Sequence, residues 1–430
     1  MNFAASLEQA QALDAADPLA AMRGHFALPA DAQGRPLVYL CGHSLGLAPR
    51  AARARVLEDL ADWENLGVLG HASARRPWID YAAGLQADLA QLAGALPAEV
   101  AAMNSLTVNL HLLLASFYRP SGPNGKRRKI LIEAGAFPSD RHVVTSQLAW
   151  HGGDARNDLL EAAPRAGEDL LRSEDIEALI HAHRDELALV LWPGVQYRTG
   201  QAFDLARLAA AAHRAGAILC ADLAHAIGNL PLSLHDWEVD CAAWCGYKYL
   251  NGGPGALGGV FVHQRHGDDR TRPRLSGWWG HDPATRFRMA PQFEAAAGAA
   301  GWQLSNPPIF SSAPLLASLA QFRSAGLPAL RAKSLLLNSF LRLLLEQRCG
   351  SEMHIITPAA PAEHGCQLSL RIGGGAGRAR QVNERLVTRG LIADWREPDI
   401  VRLAPVPLYN RFADAWLAVD TLTDVLRITA

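Results

Sequence analysis

Five short, largely apolar runs, several separated by helical stretches, restrict this chain more than any other feature. They are Ile130–Ile132, Leu187–Leu191, Ala217–Ala221, Val239–Trp244 and Ala256–Val262. A strand with one wet face alternates apolar and polar residues, whereas a continuous run signals a strand covered on both faces. Helical segments such as Leu205–Arg214 lie between several of the runs, and helical periodicity marks Ala51–Asn65, Trp78–Gly94 and Ser105–Phe117 upstream. Strands alternating with helices predict an α/β fold, its sheet mostly parallel and flanked by helices, with right-handed crossovers.

The texture changes near residue 315. Two long helical stretches, Leu315–Arg323 and Ala329–Gln347, precede the runs His354–Ile356, Gln367–Ile372 and Ile400–Leu403, which surround a helix near Ala379–Arg389. That is an α+β pattern. With 430 residues the chain exceeds one ordinary domain. The expected division is an N-terminal arm over 1–50 packing on the smaller domain, a large domain over 51–314, and a small α+β domain over 315–430.

Charge excludes some partners. Forty-one basic and 42 acidic residues leave a net charge of −1, so no long-range field attracts nucleic acid or an anionic membrane. No run of 18 apolar residues predicts a membrane span, and the acid-bearing start of the chain reads as an amphipathic helix rather than a signal peptide. The six cysteines read as reduced, buried thiols, which points to the cytoplasm. Cys241 and Cys245 have no neighbouring ligands at zinc spacing, and His181 and His183 have no third ligand nearby, so no metal is expected.

The chemistry concentrates in residues 221–259. The stretch ADLAHAIG carries Asp222 at the end of a predicted buried strand, with His225 three residues on. In open α/β sheets, ligands bind at that carboxyl edge. GYKYLNGGPGALGG then brings Lys248, flanked by aromatics and a Gly/Pro run that lets the backbone approach a ligand closely. A pyridine-ring cofactor acts as an electron sink while its ring nitrogen stays protonated, and a buried carboxylate favours that proton. A lysine able to lose its proton can hold the cofactor aldehyde as a Schiff base. Met103–Thr107 opens a helix with capping residues, a cradle suited to phosphate. Phe137 and Asp140 follow the Ile130–Ile132 run in a strand-end loop, where an aromatic can stack on the ring.

These residues resemble the kynureninases, within the fold type I group of pyridoxal 5'-phosphate enzymes. The similar stretches include CGHSLGLAP, MNSLTVNLHLLL, EAGAFPSD, PGVQYRTGQ, ADLAHAIGNLPLSLHDW, GYKYLNGGPG, SGWWGHDPATRF, LSNPPIF and VRLAPVPLYN, spread from residue 41 to 410. The resemblance implies that Lys248 holds the cofactor and Asp222 pairs with its ring nitrogen. It implies phosphate contacts from Leu106, Thr107 and Tyr247, stacking by Phe137, and further cofactor contacts from Asp140 and His225. Trp278 and Asn306 match residues that reach the site from a partner subunit, which implies a homodimer with its active site at the interface. Arg402 matches the arginine that grips the substrate carboxylate, a task suited to a bidentate guanidinium. His71 and His281 match positions at the aryl end of the substrate pocket, with Asn306 nearby, and Trp278 and Trp279 are candidates for its aromatic walls. Pro193 stands where some relatives carry a hydroxyl residue.

The implied reaction is hydrolysis of the amino acid L-kynurenine, or its 3-hydroxy form, to anthranilate, or 3-hydroxyanthranilate, and L-alanine. In it Lys248 moves the α-proton and Tyr247 donates or relays a later one. Another fold type I enzyme, such as a cysteine desulfurase or aminotransferase, is the alternative, although a desulfurase needs a mobile nucleophilic cysteine.

Overall fold

The apolar runs become strands buried along almost their whole length. The computed structural model describes residues 3–120 and 126–429. In chain order its strands are β1 (Val38–Tyr39), β2 (Val100–Met103), β3 (Lys129–Glu133), β4 (Leu159–Ala162), β5 (Leu187–Pro193), β6 (Ile218–Asp222), β7 (Cys241–Trp244), β8 (Gly258–Val262), β9 (Met353–Ile355), β10 (Leu368–Ile372), β11 (Leu391–Ile392), β12 (Asp394–Arg396) and β13 (Ile400–Leu403). Among the described residues, β2, β8, β7, β6, β5, β3 and β4 form a seven-stranded sheet in that spatial order. The pairs β3–β4, β3–β5, β5–β6 and β6–β7 are parallel, as expected of a mostly parallel sheet.

One strand departs from that expectation. β8 runs antiparallel to both β7 and β2. The segment joining β7 to β8 contains no helix, so the chain turns back instead of crossing over. β2 and β4 were not anticipated. The Val-Ala-Ala-Met of β2 has a single strong strand former, Val100, and β4 is a short edge strand of mixed polarity. The sheet is closely packed. Trp192 and Trp244 are fully buried in it, and truncating either to alanine is expected to cost about 3–5 kcal/mol.

A second, antiparallel sheet has the order β12, β13, β10, β9 and its own apolar core. Helices Leu327–Cys349, Ala376–Thr388 and Phe412–Ile428 contribute to that core. The N-terminal helix Leu7–Ala15 joins them, because Asp14 accepts hydrogen bonds from the backbone N–H groups of Phe412 (2.7 Å) and Ala413 (3.1 Å). That carboxylate satisfies donors at a helix start, where negative charge is favoured. Downstream, β1 pairs in parallel with β11, tying residues 38–39 to 391–392. Position 315 falls inside the helix Ile309–Ala325, whose Leu315, Leu319 and Phe322 pack in the core of the large sheet. No helix among the described residues is long and apolar enough to cross a membrane.

Candidate active site

The parallel strands deliver their carboxyl ends to one place. β3 ends at Glu133, β5 at Pro193 and β6 at Asp222; β7 leads into Tyr247 and Lys248. After β2, Asn104 takes a left-handed backbone (φ 47°) and Ser105 precedes the helix Leu106–Phe117. These elements wall a cavity of about 150 Å³. It sits where open α/β sheets bind ligands, outside the carboxyl ends of the strands.

Nine residues singled out in the sequence line this cavity: Leu106, Thr107, Phe137, Asp140 and Pro193, with Asp222, His225, Tyr247 and Lys248. Lys248 Nζ lies 3.1 Å from His225 Nε2 and 5.8 Å from the centre of the Phe137 ring. Its backbone is gripped from outside. Gly46 donates its N–H to the Tyr247 carbonyl (2.8 Å), and a Cβ at Gly46 would stand 2.3 Å from the Lys248 carbonyl oxygen. Only glycine allows that approach.

Electrostatically, the cavity carries more acid than it can neutralise. Burial raises the Asp222 carboxyl, opposed by the Ala224 N–H (2.7 Å) and the Lys248 charge. Burial and the neighbouring Asp222 charge push Asp140 well above its ordinary value. Burial, assisted by Asp222, pushes Glu133 up to about 8, opposed by the Gln196 amide at 3.3 Å. Among the described residues lining the cavity, Lys248 is the one ammonium. Burial and the Lys248 charge drive His225 well below the usual imidazole range, so it is neutral, and its Nδ1 has no partner among the described residues. Three buried carboxyls beside one cation suit a protonated ring nitrogen. The Ser105–Leu106 helix start, with its unpaired N–H groups, suits a phosphate, and Phe137 offers a face to an aromatic ring. A pyridoxal phosphate group fits the residues present.

Other expected site residues lie elsewhere in the chain. Arg402 is fully buried behind Tyr197. Its Nη1 donates to the Tyr197 carbonyl (2.6 Å) and its Nη2 pairs with Asp394. The fork expected to be open to a carboxylate is therefore engaged by the protein at both terminal nitrogens. His71 is exposed beside Trp78, and Trp278 and Asn306 are exposed as well. His281 is buried, with Nε2 3.0 Å from Thr285 Oγ1. Trp279, expected in the aryl wall, is instead buried beneath the Arg286 guanidinium, 4.4 Å from its ring, and walls a different cavity. Within one chain, none of these six lines the Lys248 cavity.

Conversely, Glu133, Ser139 and Tyr197 line the cavity without having been singled out. Glu133 and Ser139 lie in EAGAFPSD and Tyr197 in PGVQYRTGQ, but the strand-end position of Glu133 was a usable signal.

Known proteins match this chain along nearly its whole length. The kynureninase C-terminal domain model matches residues 330–422, and the aminotransferase class-V model matches residues 159–291. A kynureninase of Xanthomonas campestris pv. campestris (strain B100) is 55% identical over 415 residues, covering 96% of this chain and 97% of that protein. A kynureninase of Stenotrophomonas maltophilia (strain K279a) is 53% identical over 414 residues, with the same coverage of each. Among solved structures, the cystine C-S lyase C-DES bound to cysteine persulfide superposes with a TM-score of 0.75 at 20% identity, covering 90% of this chain and 97% of that one. The cysteine desulfurase CsdA from Escherichia coli also reaches 0.75, at 16% identity, covering 96% of this chain and 98% of that one. At such identities the likeness carries the fold, that of the pyridoxal-phosphate enzymes of fold type I. By its 55% identity over nearly its whole length, the chain belongs to the kynureninase family and is an enzyme of that type.

Proposed function

We propose that this enzyme hydrolyses L-kynurenine to anthranilate and L-alanine, and accepts 3-hydroxy-L-kynurenine in the same pocket. Its cofactor is pyridoxal 5'-phosphate. The single observation that carries the reading is the convergence of Lys248 and Asp222 on one cavity at the sheet's carboxyl edge. When bound, the cofactor supplies an electron sink for bond breaking at the substrate carbons.

The chain's own groups have distinct tasks. Asp222 holds the proton on the ring nitrogen, supported by the buried Asp140. Leu106 and Thr107 hold the phosphate at the helix start, aided by Tyr247. Phe137 covers the ring face and excludes water. Lys248 removes and returns the proton at the substrate Cα, with neutral His225 beside its Nζ. Burial lifts the Tyr247 hydroxyl to about 12, so at neutral pH it keeps its proton and can donate it as the C–C bond breaks. Arg402 takes the substrate carboxylate.

The aryl end is completed across a homodimer, with Trp278 and Asn306 entering the partner's cavity and His71 and His281 nearby. Exposed aromatic pairs support this assembly, Trp63 with Phe310 and Trp278 with Phe287, since such rings favour a covered surface. Catalysis takes place in the cytoplasm. A desulfurase activity is disfavoured because the six cysteines are all buried.

The test follows anthranilate fluorescence with each substrate, alongside sulfide release from cysteine. The wild type is expected to be yellow and to release anthranilate and alanine in equal amounts, and Lys248→Ala to release none. Sulfide from cysteine with no anthranilate from either substrate would overturn the assignment.

A further inference from the structure

His43 is fully buried, yet among the described residues neither of its ring nitrogens has a hydrogen-bond partner. A buried imidazole left so costs about 1–3 kcal/mol, which a ligand or an ordered water at the ring offsets. The surroundings define that ligand. His43 Nε2 is 3.6 Å from Asp394 Oδ2, the same oxygen that pairs with Arg402 Nη2 and with Arg396 Nη2 (2.9 Å). Arg402 Nε is likewise buried without a partner among the described residues.

Cys41, His43 and Asp394 bring their ligand atoms within 4.8 Å of one another, a set that resembles a metal site. Two guanidiniums already share the carboxylate, and their field repels a divalent cation while attracting an anion. The cluster adjoins the Lys248 cavity. Tyr197, which lines the cavity, holds Arg402 through its carbonyl. The His43 ring centre is 6.3 Å from that of His225, whose Nε2 is 3.1 Å from Lys248 Nζ.

We propose that His43 is a substrate-binding residue, which together with Arg402 Nε receives the α-carboxylate of the amino-acid substrate. Asp394 and the Tyr197 carbonyl engage the terminal nitrogens of Arg402 and hold its plane, and Nε is the guanidinium nitrogen left without a partner among the described residues. His43, whose Nε2 is 3.6 Å from the Asp394 oxygen that Arg402 also pairs with, adds a second donor. Burial and the charges of Arg402 and Arg396 keep the ring neutral, so it contributes direction and the guanidinium contributes charge. The inference rests on the kynurenine reading, because it needs a carboxylate two carbons from an aryl ketone.

The experiment is calorimetric titration of the holoenzyme with 4-oxo-4-phenylbutanoate and with its primary amide. These probes keep the aryl ketone, lack the amine, and differ only in the carboxylate. Wild type is expected to prefer the acid. His43→Phe is expected to lose about tenfold of that preference, while His43→Gln, which restores an N–H donor, stays within about threefold of wild type. His43→Leu substitutes for the phenylalanine variant if the larger ring prevents folding. An unchanged preference in His43→Phe or His43→Leu, with anthranilate production by wild type intact, overturns the role of His43 alone. Failure of wild type to bind the acid, with anthranilate production intact, likewise overturns the role of His43, whereas absence of anthranilate overturns the kynurenine reading itself.

Discussion

Two buried aspartates at opposite ends of neighbouring strands behave in opposite ways. Asp222 closes β6 at its carboxyl end, and Asp240 immediately precedes β7 at the other edge of the sheet. Both are almost fully buried. Burial pushes each upward, but around Asp240 hydrogen bonds from His213 (2.9 Å), His266 (2.6 Å), Arg265 (2.6 Å) and the Leu219 N–H (2.8 Å) reverse the effect. They hold it well below the usual carboxylate range. Asp222 receives one backbone N–H and faces two further carboxyls, so its value stays raised. Folding satisfies one acid internally and leaves the other dependent on what enters the cavity. A buried acid marks a ligand site when its partners are too few, and a structural joint when they are complete.

The largest way to break this contrast is to neutralise Asp222. Asp222→Asn is expected to lower kcat/KM for kynurenine by about a thousandfold with little loss of folding stability, since the ring nitrogen loses its carboxylate. Steady-state rates and thermal melts of the same preparation check it, and a destabilised but active variant would erase the distinction. Asp240→Asn should do the reverse. It strands Arg265 and two histidines, costing about 2–3 kcal/mol after allowing for their partial exposure, while folded protein keeps near-normal turnover. Denaturant titration measures the first effect and active-site-normalised rates the second.

The smallest effect sharpens the comparison. Glu133 has a folded-state value near 8 against an ordinary 4.5. A raised carboxyl contributes stability below about pH 4.5 that is lost as pH climbs through 8. Apo Glu133→Gln should therefore match the wild type at pH 4.5 and melt a few degrees higher at pH 8.5. Parallel pH dependences in the two proteins would show that Glu133 is no buried acid.

Much of this arrangement was legible in the order of residues. Continuous apolar runs announced the central strands, and an acid closing one of them, followed by an aromatic-flanked lysine, announced the cavity. The antiparallel return of β8 was missed because a run has no direction. Its helix-free approach was the available clue. β2 escaped because two of its four residues are alanines. Tyr197 and His43 escaped for another reason: their importance comes from long-range neighbours, the Tyr197 carbonyl holding a guanidinium from β13 and His43 facing a carboxylate from β12. Local spacing contains neither fact.

The pairing of β1 with β11 has a consequence for the timing of synthesis. It steadies the segment whose Gly46 braces the lysine loop, yet its second strand lies some 350 residues downstream of its first. On the ribosome the reactive amine is thus made long before its final support exists. A nascent chain that has completed the central sheet still lacks the brace, and competence arrives only with the last part of the polypeptide.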